Sequence, residues 1–346
     1  MKTNTNITQT NNNTKSAKTV KKSTKKIKNW HEYNKALEER GSILLYIEED
    51  VARSKFCRPM PKHVVGRPQE YSDSLIELIL TIRALYHLPL RQVVGFMRKL
   101  FKLYGYIIKV PSYITLSRRA GQLNIKLLKK AKYHYSTDGL VLCLDSSGFK
   151  IHGEGEWKVK KHGAGKRRTW LETHIALDEE SRDFISVINT TNNVHDNTQV
   201  TPLLVEAEKN LRKVESNKKL KCIIGDGAYF ARNTIDAASN LGVDLIAPPH
   251  KNAKLHKNMR KHILYDTPGW EKYNDVVRTV MRIGLKQWKI DSGYHRRSLV
   301  ENAFYRLKVI FDDKSHYRTI SNQKVEQMIR AKIINKFNEL GLPEYS

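Results

Sequence analysis

Two short apolar runs, each closed by an aspartate, constrain this chain more than any other feature. GLVLCLD occupies 139–145, and KKLKCIIGD ends at 226. Apolar runs of this length, bounded by turn residues, read as strands buried on both faces, which belong at the centre of a sheet. The first is followed by SSG and the second by GAY, small or polar residues that let a chain turn. If the two strands lie side by side and parallel, both carboxylates emerge at one carboxyl edge, where open α/β sheets place their sites. Either aspartate alone reads as a loop starter. The pair directs attention to Asp145 and Asp226 together.

The elements around these runs fit a mixed sheet. TWLETHIALDEE (169–180) and RDFISVINTT (182–191) carry strand composition with turn residues between them. TPLLVEAEKNLRK reads as a helix opened by Asp196, Thr198 and Pro202, and NTIDAASNLG as a helix closed by Gly242. VDLIAPP supplies another strand, and NQKVEQMIRAKIINKFNELG a final helix. Helices interleaved with the later strands predict an α/β layer fold, a mixed sheet flanked by helices. The plainer reading of Asp196 is as a helix cap with Thr198, with a fourth acidic ligand as the alternative; His195 reads as a hydrogen-bonding loop residue. His152, His162 and His174 are scattered without metal-ligand spacing.

Upstream the grammar is helical. Residues 1–29 are rich in Asn, Thr and Lys and contain no Asp or Glu, a composition that predicts a disordered basic tail. From 30 to 135 the pattern gives an amphipathic helix in YSDSLIELILTIRALYHLPL, capped by Ser72 or Asp73 and stopped by Pro89. LRQVVGFMRKLF and PSYITLSRRAGQ follow as shorter helices. Two short helices after a longer one, the last bearing Arg118 and Arg119, predict a helix-turn-helix-like DNA-binding region. A second, α/β region is expected over 136–320, interrupted by a basic stretch at about 250–293 read as a DNA-contacting insertion, with a C-terminal helix over 321–346. The basic segment EWKVKKHGAGKRRTW (156–170) reads equally as a wall of a DNA groove or as a solvated hairpin.

Charge identifies the class of partner. The 346 residues carry a formal net charge of +27, with a sequence pI of about 9.9. A long polyanion is the usual reason for such a bias. No run approaches the length and apolarity of a membrane span, and the Lys-rich start lacks the apolar stretch of a secretory signal. Cys57, Cys143 and Cys222 are odd in number and far apart, which favours small buried hydrophobes over a disulfide or a zinc site.

The stretch YHRRSLVENAFYRLK (294–308) sets one acid, Glu301, among Arg296, Arg297, Arg306 and Lys308. On a helix, Tyr294, Arg297, Glu301 and Lys308 fall within about 40° of one line. Val300, Phe304, Leu307 and Phe311 form a second stripe suited to docking on a sheet. An Arg297–Glu301 pair at i,i+4 explains the acid cheaply but not why Tyr294 and Lys308 share its line.

This spacing resembles the Y-R-E-K signature of the DDE transposases of bacterial insertion sequences. Asp145 in LCLDSSG and Asp226 in IIGDGAY look like that family's other two acids, with looser matches in WHEYNKALEERGSI, GRPQEYSD and LPLRQVVGF. The resemblance implies an RNase H-like catalytic fold and cut-and-paste DNA chemistry with two divalent ions, normally Mg²⁺, for which Mn²⁺ substitutes. It implies that Asp145 bridges both ions while Asp226 and Glu301 hold one each. Arg297 and Lys308 would then clamp phosphates, and Tyr294 would stack on or hydrogen-bond the terminal nucleotide. The implied partners are double-stranded terminal inverted repeats and target DNA, met by a homodimer or larger synaptic assembly in the bacterial cytoplasm at the nucleoid. Elementary chemistry agrees: phosphodiester hydrolysis needs about 20 kcal/mol of transition-state stabilisation, whereas one general base supplies only about 10²–10⁴-fold. Metal ions held by carboxylates supply more. A catalytically silent DNA-binding repressor and a nuclease that cuts without joining are the competing readings.

Overall fold

The computed structural model describes residues 26–51, 70–128, 139–151, 170–214, 219–255 and 268–345. Most of the expected tail, Cys57, the start of GRPQEYSD, His152, His162, the basic connection at 156–169 and part of the basic stretch, 256–267, lie outside the described residues.

The described chain opens with helices: α1 (Trp30–Glu39), α2 (Leu44–Val51), α3 (Asp73–Leu85), α4 (Leu90–Leu103) and α5 (Tyr113–Ala120). Residues 26–29, expected to belong to the tail, instead pair with the C-terminus: Lys28 N–H donates to the Glu344 carbonyl at 2.8 Å, and the Asn29 amide to the Leu342 carbonyl at 2.9 Å. Ser72 caps α3, its hydroxyl accepting from Leu75 N–H at 3.1 Å. Leu75, Ile76, Leu78, Ile79, Leu80 and Ile82 are all buried because α3 is enclosed by α2, α4, α5 and the last helix, α11 (Ile320–Leu340). A helix apolar on most of its surface is what such a central position requires.

Five strands follow: β1 (Leu140–Lys150), β2 (Trp170–Asp178), β3 (Phe184–Thr191), β4 (Leu220–Ile224) and β5 (Asp244–Ile246). They form one sheet in the order β3-β2-β1-β4-β5. β1, β2 and β3 pair antiparallel as hairpin neighbours, while β1–β4 and β4–β5 are parallel. The parallel strands are reached through helices α6 (Val200–Lys213) and α7 (Arg232–Asn240), as parallel pairing demands of its connections. α8 (Pro268–Ile283) packs on α7, α9 (Leu285–Asp291) follows, and α10 (Ser298–Phe311) lies against β1. This mixed sheet of three antiparallel and two parallel strands, flanked by helices, is the expected RNase H-like α/β fold. Among the described residues, no helix is long and apolar enough to cross a membrane.

Two local expectations change. β1 does not end at Asp145; it runs on to Lys150, because β2 pairs with it along that whole length while β4 stops pairing at Cys143. Nor does one α-helix run through 294–308. Tyr294–Arg297 form a 3-10 turn before α10, entered from Gly293 at φ 67°, a left-handed conformation that favours glycine. In such a turn residues three apart eclipse, so Tyr294 and Arg297 still share a line.

Candidate active site

The register of the parallel pair positions the first two acids. Cys143 lies opposite Ile224, the last pair of the two strands, and each aspartate follows two residues further along its chain. Asp145 remains within β1, beyond the end of its pairing with β4. Asp226 leaves β4 and caps the 3-10 turn Gly227–Tyr229, its Oδ1 accepting from Ala228 N–H at 2.8 Å.

Glu301 arrives from the helix laid across β1. Alternate residues of that strand meet the 294–308 segment. The Cys143 thiol donates to the Arg296 carbonyl at 3.5 Å, and Asp145 Oδ2 lies 3.5 Å from Arg297 Nη1. Lys308 Nζ donates to Ser147 Oγ at 2.6 Å and stands 5.5 Å from the Phe149 ring centre. Strand alternation puts these four side chains on one face. The docking stripe Val300, Phe304, Leu307 and Phe311 is buried, as its period requires.

Arg297 links two of the acids. Besides its contact with Asp145, it is hydrogen-bonded to the Glu301 carboxylate, and its guanidinium carbon is 6.0 Å from the Tyr294 ring centre. Burial pushes the Asp145 carboxyl up to about 6, against the Ser146 amide and Arg297, while the negative charges of Asp226 and Glu301 reinforce the rise. Burial also raises the Tyr294 phenol. Tyr294, Arg297, Glu301 and Lys308 are thus gathered with Asp145, and the electrostatic influence of Asp226 reaches both Asp145 and Tyr294.

Other basic neighbours have structural partners. Arg296 donates to Glu179 at 2.6 Å, and Arg306 donates to Asn338 at 2.8 Å. On α5, Arg118 is exposed, whereas Arg119 folds back to the Tyr71 carbonyl at 2.5 Å and onto the Asp73 carboxylate. Cys143 and Cys222 are free and buried, and burial raises their thiols to about 12 and about 11.

The helix-cap reading of Asp196 is overturned. Neither the 3-10 turn Asp196–Gln199 nor α6 has a side-chain cap. Thr198 Oγ1 instead donates to the His195 carbonyl at 2.7 Å. Asp196 Oδ1 turns to the fully buried His174 ring, 3.4 Å from Nδ1, while His174 Nε2 lies 2.8 Å from Thr190 Oγ1. Sequence spacing gave no sign of this pair, because the two residues are on different elements and meet only across the face of the sheet.

Among the described residues, no three His, Cys, Asp or Glu side chains stand close enough to cage a metal ion as they lie. The donor chemistry of Asp145, Asp226 and Glu301 nevertheless fits a hard divalent cation, which takes carboxylate oxygens. Arg297 now serves as counter-ion to two of them.

Comparison with known proteins places the chain in a family. A family model described as "Transposase DDE domain" matches residues 136–336, and a second model of the same description matches residues 38–154. Among solved structures, the chain is similar to the Mos1 transposase paired-end complex with left transposon end at 10% identity and TM-score 0.23, over 59% of this chain and 66% of that one. It is also similar to a chain of the simian T-cell lymphotropic virus intasome in complex with PP2A regulatory subunit B56 gamma, at 12% identity and TM-score 0.22, over 64% of this chain and 66% of that one. The chain therefore spans just under two thirds of either solved relative. The first family match alone runs through both aspartates, the glutamate and the helix that carries it, more than half of the chain, and by that match the protein belongs to the DDE transposases.

Proposed function

We propose that this protein is the transposase of an insertion sequence. It binds the element's terminal inverted repeats, cleaves phosphodiester bonds at the ends and joins the 3′-OH ends to target DNA. The observation that carries the reading is that Asp145 and Asp226 each follow by two residues the last pair of two parallel neighbours, with Glu301 joined to Asp145 through Arg297 on a segment that also carries Tyr294 and Lys308.

Asp145, Asp226 and Glu301 would hold two divalent ions, Mg²⁺ or, in its place, Mn²⁺. When bound, such ions supply Lewis-acid stabilisation and a nucleophile active at neutral pH. The remaining work belongs to the chain. Arg297 exchanges its carboxylate partners for a phosphate oxygen, which its planar fork is suited to hold. Lys308, anchored at Ser147, contributes a second positive charge from the same face. Tyr294 offers an aromatic surface to a terminal base. Exposed Arg118 meets DNA phosphates from the helical N-terminal region, while Arg119, tied to Tyr71 and Asp73, orients α5 from within it. The net charge of +27 supports double-stranded DNA as the partner. Pairing two ends calls for a homodimer or larger assembly, working in the cytoplasm at the nucleoid.

The test is cleavage of DNA bearing the gene's own flanking sequence, with Mg²⁺ or Mn²⁺, by wild type and Asp226→Ala. Metal-dependent nicking at a repeat boundary, lost in the variant while DNA binding persists, is the expected result. Two proteins that both bind and neither cut would refute it in favour of a silent repressor. Cutting without joined products would instead indicate a nuclease.

A further inference from the structure

The segment LPLRQVVGF covers the entry and first half of α4 and has no part in the active site. On α4, Val93, Val94, Met97 and Phe101 face inward and are buried. The opposite side is exposed, and Gly95 lies at its centre. At 100° per residue, Arg91, Gln92, Arg98, Lys99 and Lys102 all fall within about 60° of the Gly95 line. Five long, exposed side chains thus frame a bare patch of helix backbone, along a stripe about 16 Å long.

The fold does not ask for glycine at this position. Inside a helix, glycine is destabilising relative to alanine. A Cβ built on Gly95 meets nothing within 4 Å, whereas one on Gly121 would stand 2.5 Å from Asn322 Oδ1. What the missing side chain leaves is room for close approach from outside, a common use of glycine.

The charge of the stripe is also left uncompensated. Residues 78–137 contain twelve Lys and Arg and no Asp or Glu. The acids just before them are engaged elsewhere: Glu70 with Lys109 at 3.2 Å, Asp73 with Arg119, and Glu77 with Lys332. Among the described residues, Arg98, Lys99 and Lys102 have no acidic partner. Arg91 stands 4.6 Å over the Tyr113 ring and donates to its hydroxyl at 3.2 Å, which fixes the guanidinium at the seam of α4 and α5 without neutralising it. A second copy meeting this stripe face to face would bring like charge against it. A polyanion matches it.

We propose that the sugar-phosphate backbone of duplex DNA lies directly against Gly95, with Arg91, Arg98, Lys99 and Lys102 on its phosphates and Gln92 at the edge of the contact. This rests on the DNA-binding reading above and adds α4 to Arg118 of α5 as a contacting element. Contacts of this kind fix the register and orientation of a protein on the duplex.

The experiment measures binding of duplex DNA bearing the gene's own flanking sequence to the full chain, as wild type, Gly95→Ala, Gly95→Gln and Lys102→Gln, with a melting curve for each. Both Gly95 variants are expected to melt no lower than wild type, since alanine and glutamine favour a helix over glycine. Gly95→Gln is expected to weaken DNA binding about tenfold or more, because its side chain overpacks the contact, and Gly95→Ala to weaken it less. Lys102→Gln is expected to reduce the salt slope of binding by about one. Acetylation of the wild-type lysines, mapped by mass spectrometry, needs no variant to fold: bound DNA is expected to shield Lys99 and Lys102. Wild-type affinity in Gly95→Gln, or equal acetylation of Lys99 and Lys102 with and without DNA, would overturn this contact and leave DNA binding through α5 standing. Gly95 variants that melt well below wild type would show that the fold itself requires the glycine, and would overturn it as well. Self-association lost in Gly95→Gln at unchanged DNA affinity would mark the face as a contact between copies instead. Wild type that binds no DNA would overturn both readings.

Discussion

Arg297 Nη1 lies 3.5 Å from Asp145 Oδ2, joining the first residue row read from the sequence to the first of its buried strands. Even with this cation beside it, burial raises the Asp145 carboxyl from 3.8 to about 6. The native state therefore holds that proton more tightly than the unfolded chain. Stability linked to this group is highest below about pH 4, falls as pH rises toward about 6 and is level above. Asp145→Asn removes the ionisation. It is expected to abolish cleavage yet stabilise the fold at pH 7 by about 1–3 kcal/mol. Urea denaturation from pH 4 to 8 checks this: the gap between variant and wild type should open between pH 4 and 6 and then hold constant.

Lys308 presents its charge from the anchored end of the same row, donating to Ser147 at 2.6 Å. If that ammonium also meets a phosphate, Lys308→Gln should lower the slope of log affinity against log salt by about one. Ser147→Ala removes the anchor and keeps the charge, so its slope should match wild type. Fluorescence anisotropy on repeat-end DNA over a range of salt concentrations separates the two. Equal slopes for all three proteins would remove Lys308 from the DNA contact.

The existence of the central strands was legible because such strands are written as largely apolar runs. Leu142, Cys143, Leu144, Ile223 and Ile224 are all buried. The docking stripe of α10 was equally readable from its period. What escaped were relations among residues distant in sequence. The continuation of β1 past Asp145 depends on pairing with β2, and its SSG segment looks like a turn until that partner is in place. Asp196 resembled a helix cap because local spacing cannot reveal His174 across the sheet. The hydrogen bonds from Arg119 to the Tyr71 carbonyl and the Asp73 carboxylate also went unread, because sequence does not show which distant neighbours the fold brings to it.

Gly225 joins β4 to Asp226, and its lack of a side chain is required by close approach. A Cβ there would meet the Tyr229 ring at 2.7 and 2.8 Å and the Tyr229 Cβ at 2.9 Å. Gly225→Ala must shift either the ring or the turn that aims Asp226. It is expected to cost about 1–3 kcal/mol, as overpacking of a tight site does, and to lower the nicking rate. A double-mutant cycle with Tyr229→Ala checks the cause. The two changes should couple by at least about 0.5 kcal/mol, because the second removes the ring, the closest part of the obstacle met by the first. Strict additivity would show that the ring is not what the new methyl group meets.

Behind α10, a buried ion pair secures the connection from that helix to α11. The Arg330 and Glu326 side chains are 2% and 5% exposed and lie 3.0 Å apart. Glu326 also accepts from His316 N–H at 3.0 Å and from the Ser315 hydroxyl, while Arg330 donates to the Lys314 carbonyl at 2.9 Å. Removing the acid alone leaves a guanidinium buried without its counter-ion and strands two donors in the connection. Glu326→Ala is therefore expected to destabilise the protein by about 3–5 kcal/mol. Replacing both partners with apolar residues, Glu326→Leu with Arg330→Met, removes the unpaired charge and should cost less than the single change. Urea unfolding midpoints of the three variants decide it. A double variant less stable than Glu326→Ala would mean that Arg330 matters chiefly through the carbonyls of the 312–314 segment, and the pair would then be secondary to that backbone clamp.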